Sequence, residues 1–137
     1  MNRMFIKVSA VSENEAFLRT CVAAFMISAD PSIDEVNDVK TAVSEAVTNA
    51  IVHAYPDGDG EITLECELTE TYIKIKICDF GIGIECVDEA LKPFFTTGSD
   101  KERSGLGFTI IKSFMDEFEI ESVVNEGTTL VMKKMIA

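Results

Sequence analysis

The 137-residue sequence predicts an α/β fold of the α+β kind, with one mixed, mostly antiparallel sheet and its helices packed on one face. Three observations carry this. Alternating apolar residues mark a strand near the start, a hairpin in the middle and two strands at the end. Two stretches with apolar residues at helical spacing separate the first strand from the hairpin. The resulting order, β-α-α-β-β-(α)-α-β-β, lacks the strict alternation of a doubly wound parallel sheet.

The elements follow in order. Met4, Ile6 and Val8 alternate with polar neighbours and give the first strand. Ser12-x-x-Glu15 reads as a capping box before Leu18, Cys21, Val22 and Phe25, so a helix is expected from about Glu13 to Ile27. Asp30-Pro31 ends it. Ser32-x-x-Glu35 is a second capping box, opening a long helix with Val36, Val39, Val43, Ala46, Val47, Ala50 and Ile51 on its apolar side, which the turn Pro56-Asp57-Gly58-Asp59-Gly60 stops. Ile62, Leu64, Cys66 and Leu68, then Ile73, Ile75 and Ile77, read as a hairpin across Thr69-Glu70-Thr71. A short helix is expected around Val87 to Leu91, a mobile loop from Phe94 to Ser104, and a helix from Gly105 to Met115. Strands near Phe118–Val123 and Thr128–Met135 flank the turn Asn125-Glu126-Gly127. The whole chain, 1–137, is expected to be a single domain.

Charge narrows the functions available. Against 12 Lys+Arg stand 24 Asp+Glu, a formal −12 that repels a phosphate backbone, and no basic stripe interleaved with aromatics offsets it. Direct binding of nucleic acid or of an anionic membrane is not expected. One stretch goes the other way: from Lys92 to Lys112 basic residues outnumber acidic ones, four to two. Cys21, Cys66, Cys78 and Cys86 show no C-x-x-C spacing and have one histidine, His53, to join them, so they read as free thiols of a reducing compartment. With no apolar signal core and no run of about 18 apolar residues, a cytoplasmic protein is expected.

Three segments carry chemistry. Glu45, Asn49 and His53 recur every four residues and are expected on one helix face, amid neighbours too apolar for ordinary surface. A carboxylate can take a hydroxyl proton, and an amide oxygen can ligate Mg²⁺ without adding charge beside phosphates. In Asp79-Phe80-Gly81-Ile82-Gly83-Ile84, Gly81 and Gly83 let backbone approach a flat ligand, and Asp79 can accept from an exocyclic amine. In Arg103-Ser104-Gly105-Leu106-Gly107-Phe108-Thr109, glycines at a helix start let phosphate oxygens reach unpaired N–H groups.

In this order and spacing the three segments resemble the GHKL family of ATP-binding proteins. Glu45-x-x-x-Asn49 matches its N box, Asp79-x-Gly81-x-Gly83 and Gly105-x-Gly107 its glycine boxes, and Gly127-Thr128 its distal threonine signature. Val43 to Ile51, Phe95-Thr96-Thr97 and Arg103 to Ile110 are similar, more closely, to its anti-sigma serine-kinase branch from sporulating bacteria. The resemblance implies a GHKL two-layer sandwich binding ATP or ADP with Mg²⁺. It implies that Asp79 receives the adenine amine with Thr128 assisting, that Gly81 and Gly83 form the base slot, and that Asn49 holds Mg²⁺. Glu45 would deprotonate a substrate serine. Thr96, Thr97, Arg103 and Ser104 would contact phosphates from a lid loop, and Gly105, Leu106 and Gly107 would cradle them. The implied partners are a sporulation sigma factor, held in part through Arg19, an anti-anti-sigma protein as serine substrate, and a second copy in a homodimer. For Arg19 a Glu15–Arg19 surface pair is the alternative, and His53 reads as a pocket-edge or structural residue. Two other functions share these motifs: a non-catalytic, ATP-gated module that sequesters a sigma factor, and a switch kinase of a general stress sigma factor. The absence of a helical hairpin bearing a phospho-acceptor histidine argues against a histidine kinase.

Overall fold

Along β1 (Asn2–Ser9), Met4, Ile6 and Val8 turn toward the core while Phe5 and Lys7 face solvent, the period-two pattern of a strand with one covered face. The computed structural model describes residues 1–85, 87 and 107–137. The helix expected around 87–91, of which only Val87 is described, and the loop expected over 94–104 therefore lie outside the described residues. After β1 come α1 (Glu13–Met26), a 3₁₀ turn (Ile27–Ala29), α2 (Ile33–Asn49) and a π turn (Ala50–Ala54). The hairpin β2 (Glu61–Leu68) and β3 (Tyr72–Asp79) follows, then α3 (Gly107–Phe114), β4 (Glu117–Val123) and β5 (Gly127–Met135).

The five strands lie in the order β1-β2-β3-β5-β4, and every pairing is antiparallel. The expectation of a mixed sheet is thus corrected. The crossover through α3 does bring β4 back in the direction of β3, but β5 inserts between them and turns both contacts antiparallel. Leu64, Ile73, Ile75, Ile77 and Met132 on the sheet are fully buried against Leu18 and Val22 of α1, Val39, Val43 and Val47 of α2, and Ile111 of α3. Each such side chain contributes roughly 1.5–3 kcal/mol of burial. The helix α2 packs between α1 and α3, so this one helix spans the middle of the layer and its C-terminal end faces the ends of β3 and β5.

The two capping boxes have different outcomes. At α2 both bonds form: the Glu35 N–H donates to Ser32 Oγ (3.1 Å) and the Ser32 N–H to Glu35 Oε1 (2.7 Å). At α1 the expected box is absent. Ser12 is already helical, the Asn14 amide secures the entry by donating to the Ser9 carbonyl (2.8 Å), and Glu15 is drawn to Arg19 instead. Lys134 ties the layers together, donating to Asp38 Oδ2 of α2 (3.0 Å) and to the Phe114 carbonyl ending α3 (2.8 Å). No described helix is long and apolar enough to cross a membrane.

Candidate functional site

Down the helix-facing side of the sheet, apolar residues give way to polar ones at a single end. Ile73, Ile75 and Ile77 are followed by Asp79; Met132 and Leu130 are preceded by Thr128; Phe118 and Ile120 are followed by Ser122. The register places Asp79 opposite Thr128, and Thr128 opposite Ser122, so the three form a row across β3, β5 and β4. Asp79 and Thr128 are the buried polar side chains among the described residues. Asp79 Oδ1 accepts the N–H groups of Gly81 (3.1 Å) and Thr128 (3.2 Å). Both donors go to one oxygen, leaving Oδ2 to accept from a ligand. Burial pushes the Asp79 carboxyl above its ordinary value, and those two N–H groups pull it partly back.

The loop after Asp79 is held by three neighbours. Its Ile82 N–H donates to the Ala54 carbonyl (3.0 Å), its Ile82 carbonyl accepts from Asn125 N–H (2.8 Å), and its Ile84 N–H donates to Ser122 Oγ (2.7 Å). A Cβ at Gly81 would fall on the Ala54 carbonyl, and at Gly83, where φ is +75°, on the Val123 carbonyl, so only glycine allows these approaches. The Tyr55 hydroxyl adds a brace: it accepts the Phe80 N–H (2.7 Å) and donates to the Glu61 carbonyl (2.5 Å).

The first and third sequence segments meet at the same end of the molecule. A Cβ on Gly107 would come within 2.7 Å of Asn49 Nδ2, which puts the first described turn of α3 directly on the Asn49 amide. Glu45 lies one turn before Asn49 on the regular part of α2, half-buried. After Asn49 the helix passes into a π turn over Ala50–Ala54, which carries His53 and presents the Ala54 carbonyl to the glycine loop.

Thr96, Thr97, Arg103, Ser104, Gly105 and Leu106 lie outside the described residues. Arg19 sits on α1 with Nε 3.2 Å from Glu15 Oε2, a charge contact not aligned as a hydrogen bond. Ser122, Tyr55 and the Ala54 carbonyl are participants that the sequence reading missed. For Ser122 the signal was available: it is the polar residue at an apolar parity in β4.

The donor set suits a neutral-to-cationic edge bearing an amine at Asp79, and a phosphate group near the start of α3. No cluster of three or more His, Cys, Asp or Glu side chains among the described residues forms a metal cage, so a divalent cation here would rest on Asn49 together with ligand oxygens. Cys21, Cys66 and Cys78 are free, and burial pushes the Cys66 thiol up to about 12, which makes it inert. A second cleft, on the opposite sheet face among Arg3, Phe5, Glu65, Glu67, Lys74 and Lys76, is remote from this row and carries mixed charge.

Residues 8–134 match the family of histidine kinase-like ATPase domains. The chain is 51% identical over 134 residues to the anti-sigma F factor of Clostridium beijerinckii, covering 97% of this chain and 94% of that one. Against the anti-sigma F factor of Geobacillus thermodenitrificans it is 50% identical over 137 residues, covering 99% and 94%. Its fold is similar, at a TM-score of 0.70 and 16% identity, to the solved RsbU and RsbW domains of Rv1364c from Mycobacterium tuberculosis. That match covers 99% of this chain and 32% of the longer one.

Proposed function

Because this chain belongs to the anti-sigma F factors, within the histidine kinase-like ATPase domain family, we propose that it is an ATP-dependent protein-serine kinase that also sequesters a sporulation sigma factor. The observation that carries the reading is the convergence of three distant segments at one end of the fold: Asp79 paired with Thr128, the glycine loop held against Ala54, and Asn49 under Gly107. Adenine fits the first two. Its exocyclic amine donates to Asp79 Oδ2, its ring lies against the loop that Gly81 and Gly83 keep free of side chains, and Thr128 supplies a further polar contact.

The triphosphate then runs toward the start of α3, where Gly107 and, by family resemblance, Thr96, Thr97, Arg103, Ser104, Gly105 and Leu106 contact it. Asn49 would hold Mg²⁺, which when bound neutralises phosphate charge. Glu45 takes the hydroxyl proton of a serine on an anti-anti-sigma protein while that oxygen bonds to the γ-phosphorus. The bond from the γ-phosphorus to the bridging oxygen breaks and ADP leaves. A base is needed for this reaction and not for mere binding, so Glu45 separates a kinase from a nucleotide-gated binder. Arg19, on α1, contacts the sigma factor, and the active form is a homodimer in the cytoplasm.

Incubation with γ-labelled ATP, Mg²⁺ and a candidate anti-anti-sigma protein tests this directly. Labelled phosphoserine on that protein is the expected result. ATP binding without transfer overturns the kinase reading and leaves gated sequestration of a sigma factor.

A further inference from the structure

Ser122 is the one member of the polar row whose role the adenine reading leaves open. Its hydroxyl makes three contacts: it accepts the Ile84 N–H (2.7 Å), it lies 2.7 Å from Thr128 Oγ1, and it donates to the Gly127 carbonyl (3.1 Å). A serine hydroxyl has one proton and two lone pairs. The arrangement that uses all three contacts spends that proton on Gly127 and one lone pair on Ile84. The contact to Thr128 is then satisfied only if Thr128 donates. Thr128 Oγ1 thereby has its own proton committed and offers lone pairs alone to anything else that reaches it.

We infer that Ser122 is a positioning residue that fixes the Thr128 hydroxyl as an acceptor, and so selects a 6-amino purine over a 6-oxo purine. The inference rests on the adenine reading of the pocket. A 6-amino purine presents N–H donors where Asp79 and Thr128 both present lone pairs, whereas a 6-oxo purine brings an oxygen against those acceptors. Asp79 alone would discriminate in the same direction. What Ser122 adds is that Thr128, which could otherwise turn its proton toward the 6-oxygen, cannot reward the wrong base. The same serine anchors Ile84, at the far end of the loop that Gly81 and Gly83 open, so base slot and hydroxyl polarity are set by one side chain.

The test compares Kd values for ATP and ITP, by calorimetry with Mg²⁺, in the full chain and in Ser122→Ala, Ser122→Thr and Leu68→Ala. Ser122→Ala is expected to weaken ATP about three- to tenfold and to lower the ITP/ATP Kd ratio at least fivefold, as Thr128 becomes free to donate. Ser122→Thr, which keeps the hydroxyl, is expected to restore the ratio. Leu68→Ala, a core truncation at the opposite end of the sheet, is expected to lower Tm and leave the ratio unchanged. An unaltered ratio in Ser122→Ala overturns the inference alone, as does an equal shift in Leu68→Ala, which would mark the effect as loss of packing. A wild-type chain that binds neither nucleotide overturns the adenine reading and this inference with it.

Discussion

The Asp79 carboxylate has two tasks that oppose each other with pH. Burial raises its pKa, so the folded chain holds the carboxyl proton more tightly than the unfolded chain does. As pH climbs from the ordinary carboxylate range through that raised value, the folded protein loses this stabilising contribution. The proposed contact with an adenine amine favours the ionised form. ATP affinity should therefore fall as pH is lowered from neutrality toward the ordinary carboxylate range, while the stability contributed at this position rises over the same interval. Asp79→Asn should lower ATP affinity at least about 100-fold at pH 7, since the amide loses the charge and one acceptor, and what binding is left should be flat in pH. Calorimetric titrations at several pH values check both; unchanged affinity in Asp79→Asn would remove the residue from the base site. Glu45→Gln is expected to keep nucleotide affinity within about twofold and to slow transfer to serine by about 10²–10⁴, the usual contribution of a positioned base. Single-turnover phosphorylation with prebound ATP reads that loss separately from binding.

Elements, rather than side chains, bring the site together, and here the sequence was legible to different depths. The strands could be read closely because burial of one face forces period two: Ile62, Leu64, Cys66 and Leu68 all point inward as their alternation requires. The capping box at Ser32 was equally legible, being a local signal with local partners. Its counterpart at Ser12 failed because Glu15 had a better partner one turn on, in Arg19, and Asn14 reached back to Ser9. The π turn after Asn49 left no mark in the spacing; a helix pattern continues through Ile51, and the approach of Ala54 to Gly81 that accompanies the widening is a tertiary contact. Tyr55 was invisible for a related reason, since its partners at Glu61 and Phe80 are set by tertiary approach. Two substitutions test these joints. Tyr55→Phe removes the two solvent-exposed hydrogen bonds to the Phe80 N–H and the Glu61 carbonyl, and should cost about 0.5–1.5 kcal/mol of unfolding free energy by urea titration. Gly107→Ala is expected to act differently. Its methyl meets the Asn49 side chain and not backbone, so α3 should keep its place while Asn49 turns aside, and ATP affinity measured with Mg²⁺ should drop about tenfold or more for a stability change under about 1 kcal/mol.

At the scale of the whole molecule, the net charge of −12 is spread along the chain, residues 1–68 carrying 4 basic and 12 acidic groups and residues 69–137 carrying 8 and 12. Such a surface is a poor one for DNA and a good one for a protein that itself binds DNA, because the basic surface of a sigma factor meets a long-range field of opposite sign. Arg19 is an exception on that surface, and its contact with Glu15 is misaligned and half-exposed. A pair of this kind contributes only about 0.2–0.5 kcal/mol to the helix, so removing it should barely alter Tm. If Arg19 instead reaches a carboxylate on the sigma factor, truncation strands a charge at the interface. Arg19→Ala is then expected to raise the Kd for the sigma factor about 30-fold or more, at the cost typical of a buried interfacial charge pair, and to leave ATP affinity unchanged. Salt provides an independent reading of the same field. Between 50 and 500 mM NaCl the Debye length shrinks to a few ångströms, so sigma-factor binding should weaken about tenfold or more, chiefly through a slower association rate. On the proposed reading ATP is held at short range by Asp79, and its affinity should change by less than about threefold over that range. Surface-plasmon kinetics of wild type and Arg19→Ala at both salt concentrations check the set: a sigma-factor association rate insensitive to salt would refute steering by net charge, and equal dissociation rates for the two chains would return Arg19 to its pair with Glu15.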